Sequence, residues 1–274
     1  MNFNIEWHDR LGSTNAFLRE RFSQGMELRS GTIVAAREQT EGRGRQARKW
    51  LSAAGQNLCF SLFIQTDAKL VAVPSLTMAA ALAVNDLLRS TGILSAPKWP
   101  NDVLVDGKKI CGILSERVER KKQQLEGDAP SEPKLATGLR RSVALQSHST
   151  QNEVLQTGII VGIGLNMNMV AEEAKSIDRP ATSMLIESGR AHDLSQTLES
   201  LFQPLEHWIG EWEKGGFPSL RETWTEKAGP IGKPLAVHDG DIKKSGTLAG
   251  FGDHGELLLQ TANGIETIWS GDVS

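Results

Sequence analysis

The chain has 274 residues, 39% of them hydrophobic and 23% charged, with a formal net charge of -3. That length supports one sizeable hydrophobic core and a small second domain, and the composition excludes fibrous and wholly disordered chains. Acids and bases nearly balance, so no global field draws nucleic acid and any contact with a polyanion has to be local. Cys59 and Cys111 stand far apart with no CxxC pair, which argues against a disulfide framework or a structural zinc site and for a reducing, cytoplasmic setting. Residues 1–9 lack the basic start and apolar run of a secretory signal. The most apolar stretch, 78–88, is shorter than the roughly 20 residues of a bilayer span, so neither export nor a membrane anchor is expected.

In chain order, Ser13-Thr14-Asn15 ahead of Phe17, Leu18 and Phe22 predicts a helix capped by Ser13 and ended by Gly25. Residues 32–36 and 58–64 have strand composition, and 38–50 between them, with three arginines, two glycines and almost nothing apolar, reads as a long loop. Alanine and leucine content makes 75–88 a buried helix. Val103-Leu104-Val105, the Asp106-Gly107 turn signal and 110–114 predict a β-hairpin. Residues 119–153, rich in Lys, Gln, Ser and His and poor in apolar side chains, read as a mobile surface insertion. Strand character returns over 156–166, and 194–212 and 218–224 read as amphipathic helices, with Pro204 a kink position. From Gly232 onward, short apolar runs punctuated by Asp239-Gly240, Gly252 to Gly255 and Asn263-Gly264 predict hairpins at barrel-like spacing. The domains are therefore expected at 1–228 and 229–274.

Two constellations carry chemistry. Gly42-Arg43-Gly44-Arg45, extended by Arg48 and Lys49, alternates residues that allow close backbone approach with guanidinium groups that grip phosphate in bidentate fashion, so it can fold over a polyphosphate. Taken alone, residues 42–49 also read as a solvated basic loop or a nucleic-acid contact. The second constellation is Lys98-Trp99-Pro100-Asn101-Asp102 with Lys109 on the returning hairpin strand. Asp102 suits a Mg²⁺ ion or a ribose hydroxyl, Asn101 a base edge, and Lys109 a phosphate or carboxylate oxygen. No GxxxxGK[ST] occurs, and Gly162-Ile163-Gly164-Leu165-Asn166 lacks the third glycine and following helix of a dinucleotide fingerprint, so Gly162 and Gly164 suggest a bulge. The six histidines form no HxxxH or triad pattern and are read as structural or surface groups.

Five motifs in order, Ser13-Thr14-Asn15, Gln39 to Arg45, Lys98 to Asp102, Lys109 to Leu114 and Gly162 to Asn166, make the sequence resemble the biotin protein ligase family over most of its length. The resemblance implies an α+β fold: a class II synthetase-like catalytic domain with a mixed β-sheet, helices packed on one side and the site on the exposed face, followed by a small SH3-like barrel. It implies ATP-dependent formation of biotinyl-5'-AMP with Mg²⁺, then transfer of biotin to a lysine of a biotin carboxyl carrier domain of a carboxylase. Biotin would be held by Ser13, Thr14, Asn15, Gln39, Gly42, Arg43, Gly44, Arg45, Lys109, Gly112 and Gly164. The nucleotide would fall to Arg43, Arg48, Trp50, Asn101, Asp102 and Asn166, with Asp102 toward the metal and Arg45 and Lys109 as the catalytic cations.

Gln46-Ala47 departs from the basic or polar residue and glycine common in the family at that point, and the 119–153 segment is longer than the usual connection. Lipoate or octanoate ligases of the same superfamily are the nearest rivals, and a non-catalytic nucleic-acid module using 42–49 is the rival from another class. The twelve residues ahead of Ser13 leave no room for a DNA-binding domain, so DNA binding is not expected. A monomer and a homodimer are both compatible with the sequence.

Overall fold

Residues 1–50, 52–121, 155–240 and 242–274 are described by a computed structural model. Seven strands form the main sheet: β1 (Asn4–Leu11), β2 (Thr32–Gln39), β3 (Asn57–Gln65), β4 (Ala96–Lys98), β5 (Asp102–Val105), β6 (Lys108–Lys121) and β7 (Leu155–Asn166). Their order is β1-β2-β3-β7-β6-β5-β4. Among the described residues only β1 and β2 run parallel, and every other neighbouring pair is antiparallel, so the sheet is mixed and not of the doubly wound parallel kind.

Strand alternation sorts the side chains onto two faces. Ile33 and Ala35, Leu62 and Ile64, and Ile159, Val161 and Ile163 enter the large core. There they meet α2 (Val73–Ser90), α5 (Leu194–Ser200), α6 (Phe202–Gly215) and α7 (Arg221–Ala228). Val34, Phe63, Val118 and Ile160 point the other way, onto Leu18 and Phe22 of α1 (Thr14–Ser23). Helices therefore cover both faces, where one covered side was expected. The amphipathic α1 shields only part of the second face, and the remainder of that face carries the site.

Helix α2 with the turn before it, Leu70–Ser90, is long and apolar enough to cross a membrane, longer than residues 78–88 suggested, but 72% of its apolar window is buried in the protein. The break in the 194–212 region falls at Leu201, between α5 and α6. Pro204 sits in the first turn of α6, where its missing N–H costs no hydrogen bond. The hairpin β5–β6 turns on Asp106 and Gly107, both at positive φ, as a two-residue type I′ connection requires. Of the expected insertion, Glu119 to Lys121 continue β6 in register with β7; residues 122–153 lie outside the described residues. Two short helices, α3 (Ala171–Lys175) and α4 (Met184–Ser188), follow β7.

The chain then builds an antiparallel five-stranded sheet from β8 (Pro234–Asp239), β9 (Ile242–Phe251), β10 (Leu257–Thr261), β11 (Gly264–Ile268) and β12 (Asp272–Val273), ordered β11-β10-β9-β8-β12. No pairing joins the outer strands β11 and β12 among the described residues. Phe251 of this sheet meets Trp224 of α7 and Phe217 edge-on, with ring centroids 6.2 Å apart in both pairs. The Trp99 indole N–H donates to the Gly255 carbonyl at 2.9 Å, inside the shared core. The C-terminal sheet is thereby fixed against the hairpin that presents Asn101 and Asp102.

Candidate active site

Among the described residues, the part of this face that α1 leaves open carries a strip of glycines between Leu114 and Asn166. Gly112 on β6 and Gly162 and Gly164 on β7 share this face, and the ladder through β3, β7 and β6 is regular at both β7 glycines, so they are not a bulge. Their function is close approach: a Cβ at Gly162 would lie 2.2 Å from Asn15 Oδ1, and one at Gly164 would lie 2.5 Å from the Trp50 ring. Above this strip lies a cavity of about 560 Å³, within the range of small-molecule sites.

At one end stands the N-terminus of α1. Ser13 caps the helix in extended conformation, accepting from Ala16 N–H. Thr14 N–H donates to Gln39 Oε1 at 2.8 Å, and Thr14 Oγ1 lies 3.1 Å from the same oxygen. Asn15 turns toward the sheet, where its Nδ2 donates to Leu114 O at 3.3 Å and to Glu116 Oε2 at 2.8 Å. Arg19 holds both oxygens of Glu116, at 2.8 and 2.9 Å. Ser61 of β3, fully buried, reaches Thr14 Oγ1 at 2.7 Å and Asn15 Oδ1 at 2.6 Å. This end is polar and uncharged toward the cavity.

The other end is cationic. The 42–50 loop folds back on itself, with Gly44 N–H on Arg48 O at 2.8 Å and Trp50 N–H on Gly42 O at 2.9 Å. Gln46, in the departure from the family pattern, adopts positive φ at the tip. Arg45 donates to Asn101 Oδ1 at 3.2 Å and to Gly271 O at 3.4 Å. Burial pushes its pKa down, and the nearby Asp272 and Asp102 carboxylates oppose that shift. Arg48 pairs with Asp272, which also receives Arg179 at 3.4 Å. The hydrogen bond to Asp272 raises the Arg48 pKa.

Lys109 Nζ sits 2.6 Å from Asp102 Oδ1 and over the Trp50 ring, 5.6 Å from its centroid. The Asp102 carboxylate is thus neutralised by the lysine ammonium at the cavity wall. Asn101 is locked by exchanging bonds with Ile113, through Nδ2 to Ile113 O at 2.8 Å and Ile113 N to Asn101 O at 2.9 Å. Asn166 spends its amide on Thr182 O at 3.0 Å and Lys109 O at 3.4 Å.

The structure brings fifteen of the sixteen residues picked from the sequence to this one cavity. The exception is Gly42, which lines the adjoining groove beyond the loop. A Cβ there would lie 2.6 Å from Trp50 O, so Gly42 closes the loop's base. Sequence reasoning missed Ser61, Glu116, Arg179 and Asp272. Ser61 had a signal, a lone hydroxyl in the apolar run of β3, and Glu116 follows Gly112 and Leu114 at strand period. Asp272, more than 160 residues from Asp102, had none.

The biotin/lipoate A/B protein ligase family matches residues 7–126, and the biotin protein ligase C-terminal domain matches residues 231–274. The biotin--[acetyl-CoA-carboxylase] ligase of Paracoccus denitrificans is 30% identical, over 96% of this chain and 97% of that protein. The chain belongs to the biotin protein ligase family. The bifunctional ligase/repressor BirA of Bacillus subtilis is 31% identical over 100% of this ligase and 74% of its own length. Among solved structures, the Aquifex aeolicus biotin protein ligase in complex with biotin and ATP superposes with a TM-score of 0.69 at 26% identity, covering 99% of this chain and 97% of that one. Both sheets of this ligase thus have counterparts in the family.

Proposed function

We propose that the chain joins biotin to ATP as biotinyl-5'-AMP, releasing pyrophosphate, and then passes biotin to a lysine of a biotin carboxyl carrier domain of a carboxylase. One observation carries the reading: a single cavity joins an uncharged hydrogen-bonding end, roofed by α1 over a glycine floor, to an end lined by Arg43, Arg45, Arg48 and Lys109. A bicyclic ring with a polar rim suits the first end and a polyphosphate the second.

The chemistry needs that division. A carboxylate oxygen attacks the α-phosphorus of ATP, the P–O bond to the β-phosphate breaks, and the two reacting groups are both anions. Arg45 and Lys109 offset their repulsion with fixed positive charge. The mixed anhydride is water-sensitive, so the 42–50 loop, closing over it, retains the intermediate and excludes water. The acceptor lysine amine then attacks the carbonyl carbon, and AMP leaves with the bonding pair.

Mg²⁺ is part of the same reading. Among the described residues no three His, Cys, Asp or Glu side chains gather to hold a metal, but the Asp102 carboxylate lines the cavity at its cationic end, beside Lys109. It fits as the one protein ligand of an ion that arrives on the triphosphate, and such an ion would further neutralise phosphate charge. The five-stranded C-terminal sheet is read as the SH3-like domain, with 1–228 as the catalytic domain, and its contribution to the site is Asp272 against Arg48. The test is incubation with ATP, Mg²⁺ and either biotin or lipoate, followed by mass spectrometry. Biotinyl-AMP is expected, and lipoyl-AMP in its place would overturn the assignment.

A further inference from the structure

The hydroxyl chain beneath the uncharged end has three O···O contacts, at 2.6, 2.7 and 3.1 Å, and two hydroxyl protons, so the two short contacts take the protons and the long one goes without. Leu114 O can only accept, so the Asn15 amide must present Nδ2 to it and to Glu116, leaving Oδ1 turned toward Ser61. An amide oxygen carries no proton. The Ser61 hydroxyl proton is therefore committed to Asn15 Oδ1, 2.6 Å away. Ser61 Oγ and Thr14 Oγ1 are 2.7 Å apart and need a proton between them, and Ser61 has none left. Thr14 must supply it.

That commitment decides what Thr14 shows the cavity. With its single proton turned down to Ser61, Thr14 Oγ1 faces Gln39 Oε1 across 3.1 Å with nothing to donate. Gln39 Oε1 is itself fixed as an acceptor by the Thr14 backbone N–H at 2.8 Å. Two acceptor oxygens on the cavity wall then stand side by side, an unfavourable pair that one N–H placed between them relieves. We infer that Ser61, buried and outside the cavity, is a positioning residue that holds the Thr14 hydroxyl as an acceptor and so makes the site select a ligand carrying an N–H at this point.

Gly162 is the other half of the device. It lies directly opposite Ser61 on the paired strand, and the missing Cβ leaves the space that Asn15 Oδ1 occupies. The inference rests on the biotin reading, since a ureido ring supplies N–H donors and the dithiolane of lipoate supplies none.

The experiment is calorimetric binding of biotin and of biotin methylated on its ureido nitrogens to wild type, Ser61→Ala, Thr14→Val and the double variant, with unfolding midpoints recorded alongside. Ser61→Ala frees the Thr14 rotor and should weaken biotin about tenfold, the scale of one hydrogen bond in a buried site. The methylated analogue should bind Ser61→Ala and wild type alike. In the Thr14→Val background, Ser61→Ala should cost nothing further, because the residue it acts through is gone. Ser61→Cys, with a weak donor in nearly the same volume, should shift affinity in the same direction as Ser61→Ala, and it carries the test if the alanine variant is unstable. Additive losses in the double variant, or equal losses for biotin and its methylated analogue, would overturn the relay while leaving the ligase reading intact. A wild-type protein that binds lipoate and not biotin would overturn both.

Discussion

Lys109 Nζ lies 2.6 Å from Asp102 Oδ1, and a one-residue bulge places it there. On β6, strict alternation would send Lys109 to the face opposite Gly112, three residues on. The pairing of β5 with β6 slips by one between Val103 and Leu104, so Asp102 opposes Gly112 while Leu104 opposes Lys109. Ile110 and Cys111 both enter the core, and Lys109 returns to the site face beside Gly112. The lysine is thus held on paired backbone, tied further by Lys109 N to Pro180 O at 2.8 Å and Thr182 N to Lys109 O at 2.9 Å. Arg45, by contrast, sits on a loop, where its backbone bond is the local one from Arg48 N to Arg45 O at 3.2 Å and its side chain makes the ties to Asn101 and Gly271.

This difference predicts two distinct failures. Lys109→Ala removes a fixed charge from the reacting phosphate and should raise the barrier to adenylate formation by roughly 3 to 4 kcal/mol, about two to three orders of magnitude in rate. Arg45→Gly loses the ties to Asn101 and Gly271 and should still form adenylate, but release it, so that bystander lysines become labelled. Biotin-dependent pyrophosphate release and a streptavidin blot of a bystander protein separate the two. Equal adenylate synthesis by Lys109→Ala and wild type would remove Lys109 from the chemistry.

The glycine strip predicts a second contrast. Gly162→Ala forces Asn15 out of its bonds to Ser61, Leu114 and Glu116, which cannot yield cheaply. It should lower stability by about 1 to 3 kcal/mol, the range for overpacking, and weaken biotin as well. Gly164→Ala meets the Trp50 ring first, which a side-chain rotation moves. It should leave the unfolding midpoint nearly unchanged and weaken biotin selectively. Denaturant unfolding with parallel calorimetry checks both, and equal destabilisation by the two variants would contradict the assignment.

Much of this site was legible because the motifs are local. Ser13 to Asn15 combine a helix cap with two side chains that line the cavity, and the 38–50 loop and β5–β6 hairpin announce themselves by turn chemistry. What the sequence hid is set by tertiary geometry. The bulge at Ile110, which brings Lys109 onto the site face, leaves no mark on the local residue pattern. The two faces of the sheet could not be apportioned between helices before the register was known, so α1 was not assigned a face. Asp272 reaches the site only because Trp99, Trp224 and Phe251 seat the C-terminal sheet against the hairpin.

The clasp between Arg48 and Asp272 carries a pH signature. Burial raises the Asp272 pKa, but hydrogen bonds from Arg48 and the charge of Arg179 outweigh it, and the net effect holds the carboxyl below the usual aspartate range. A depressed folded-state value stabilises the protein above the unfolded pKa, and that contribution is lost as pH falls through the folded value. Below about pH 4 the wild-type unfolding midpoint should therefore drop more steeply than that of Asp272→Asn. At neutral pH the asparagine variant should be the less stable of the two. Parallel midpoint curves from pH 7 to pH 3 would show that the clasp contributes nothing.

Trp50 makes the last prediction, because its ring lies where a ligand ring would rest. Its atoms come within 2.5 Å of a Cβ position at Gly164 and 2.9 Å of one at Gly112, so the indole lies against the strip. Its Nε1 is buried, with the Cys59 sulfur, a weak acceptor, as its neighbour. A ring entering over the glycines has to displace the indole, which frees that N–H and moves Trp50 away from Lys109. Biotin should therefore change the tryptophan emission of wild type, while Trp50→Phe, which retains the other six tryptophans, should show little change. Trp50→Ala clears the strip and should bind biotin alone a few-fold more tightly, since no indole has to be expelled. An emission change of equal size in Trp50→Phe would place the moving tryptophan elsewhere and leave the strip open in the unliganded protein.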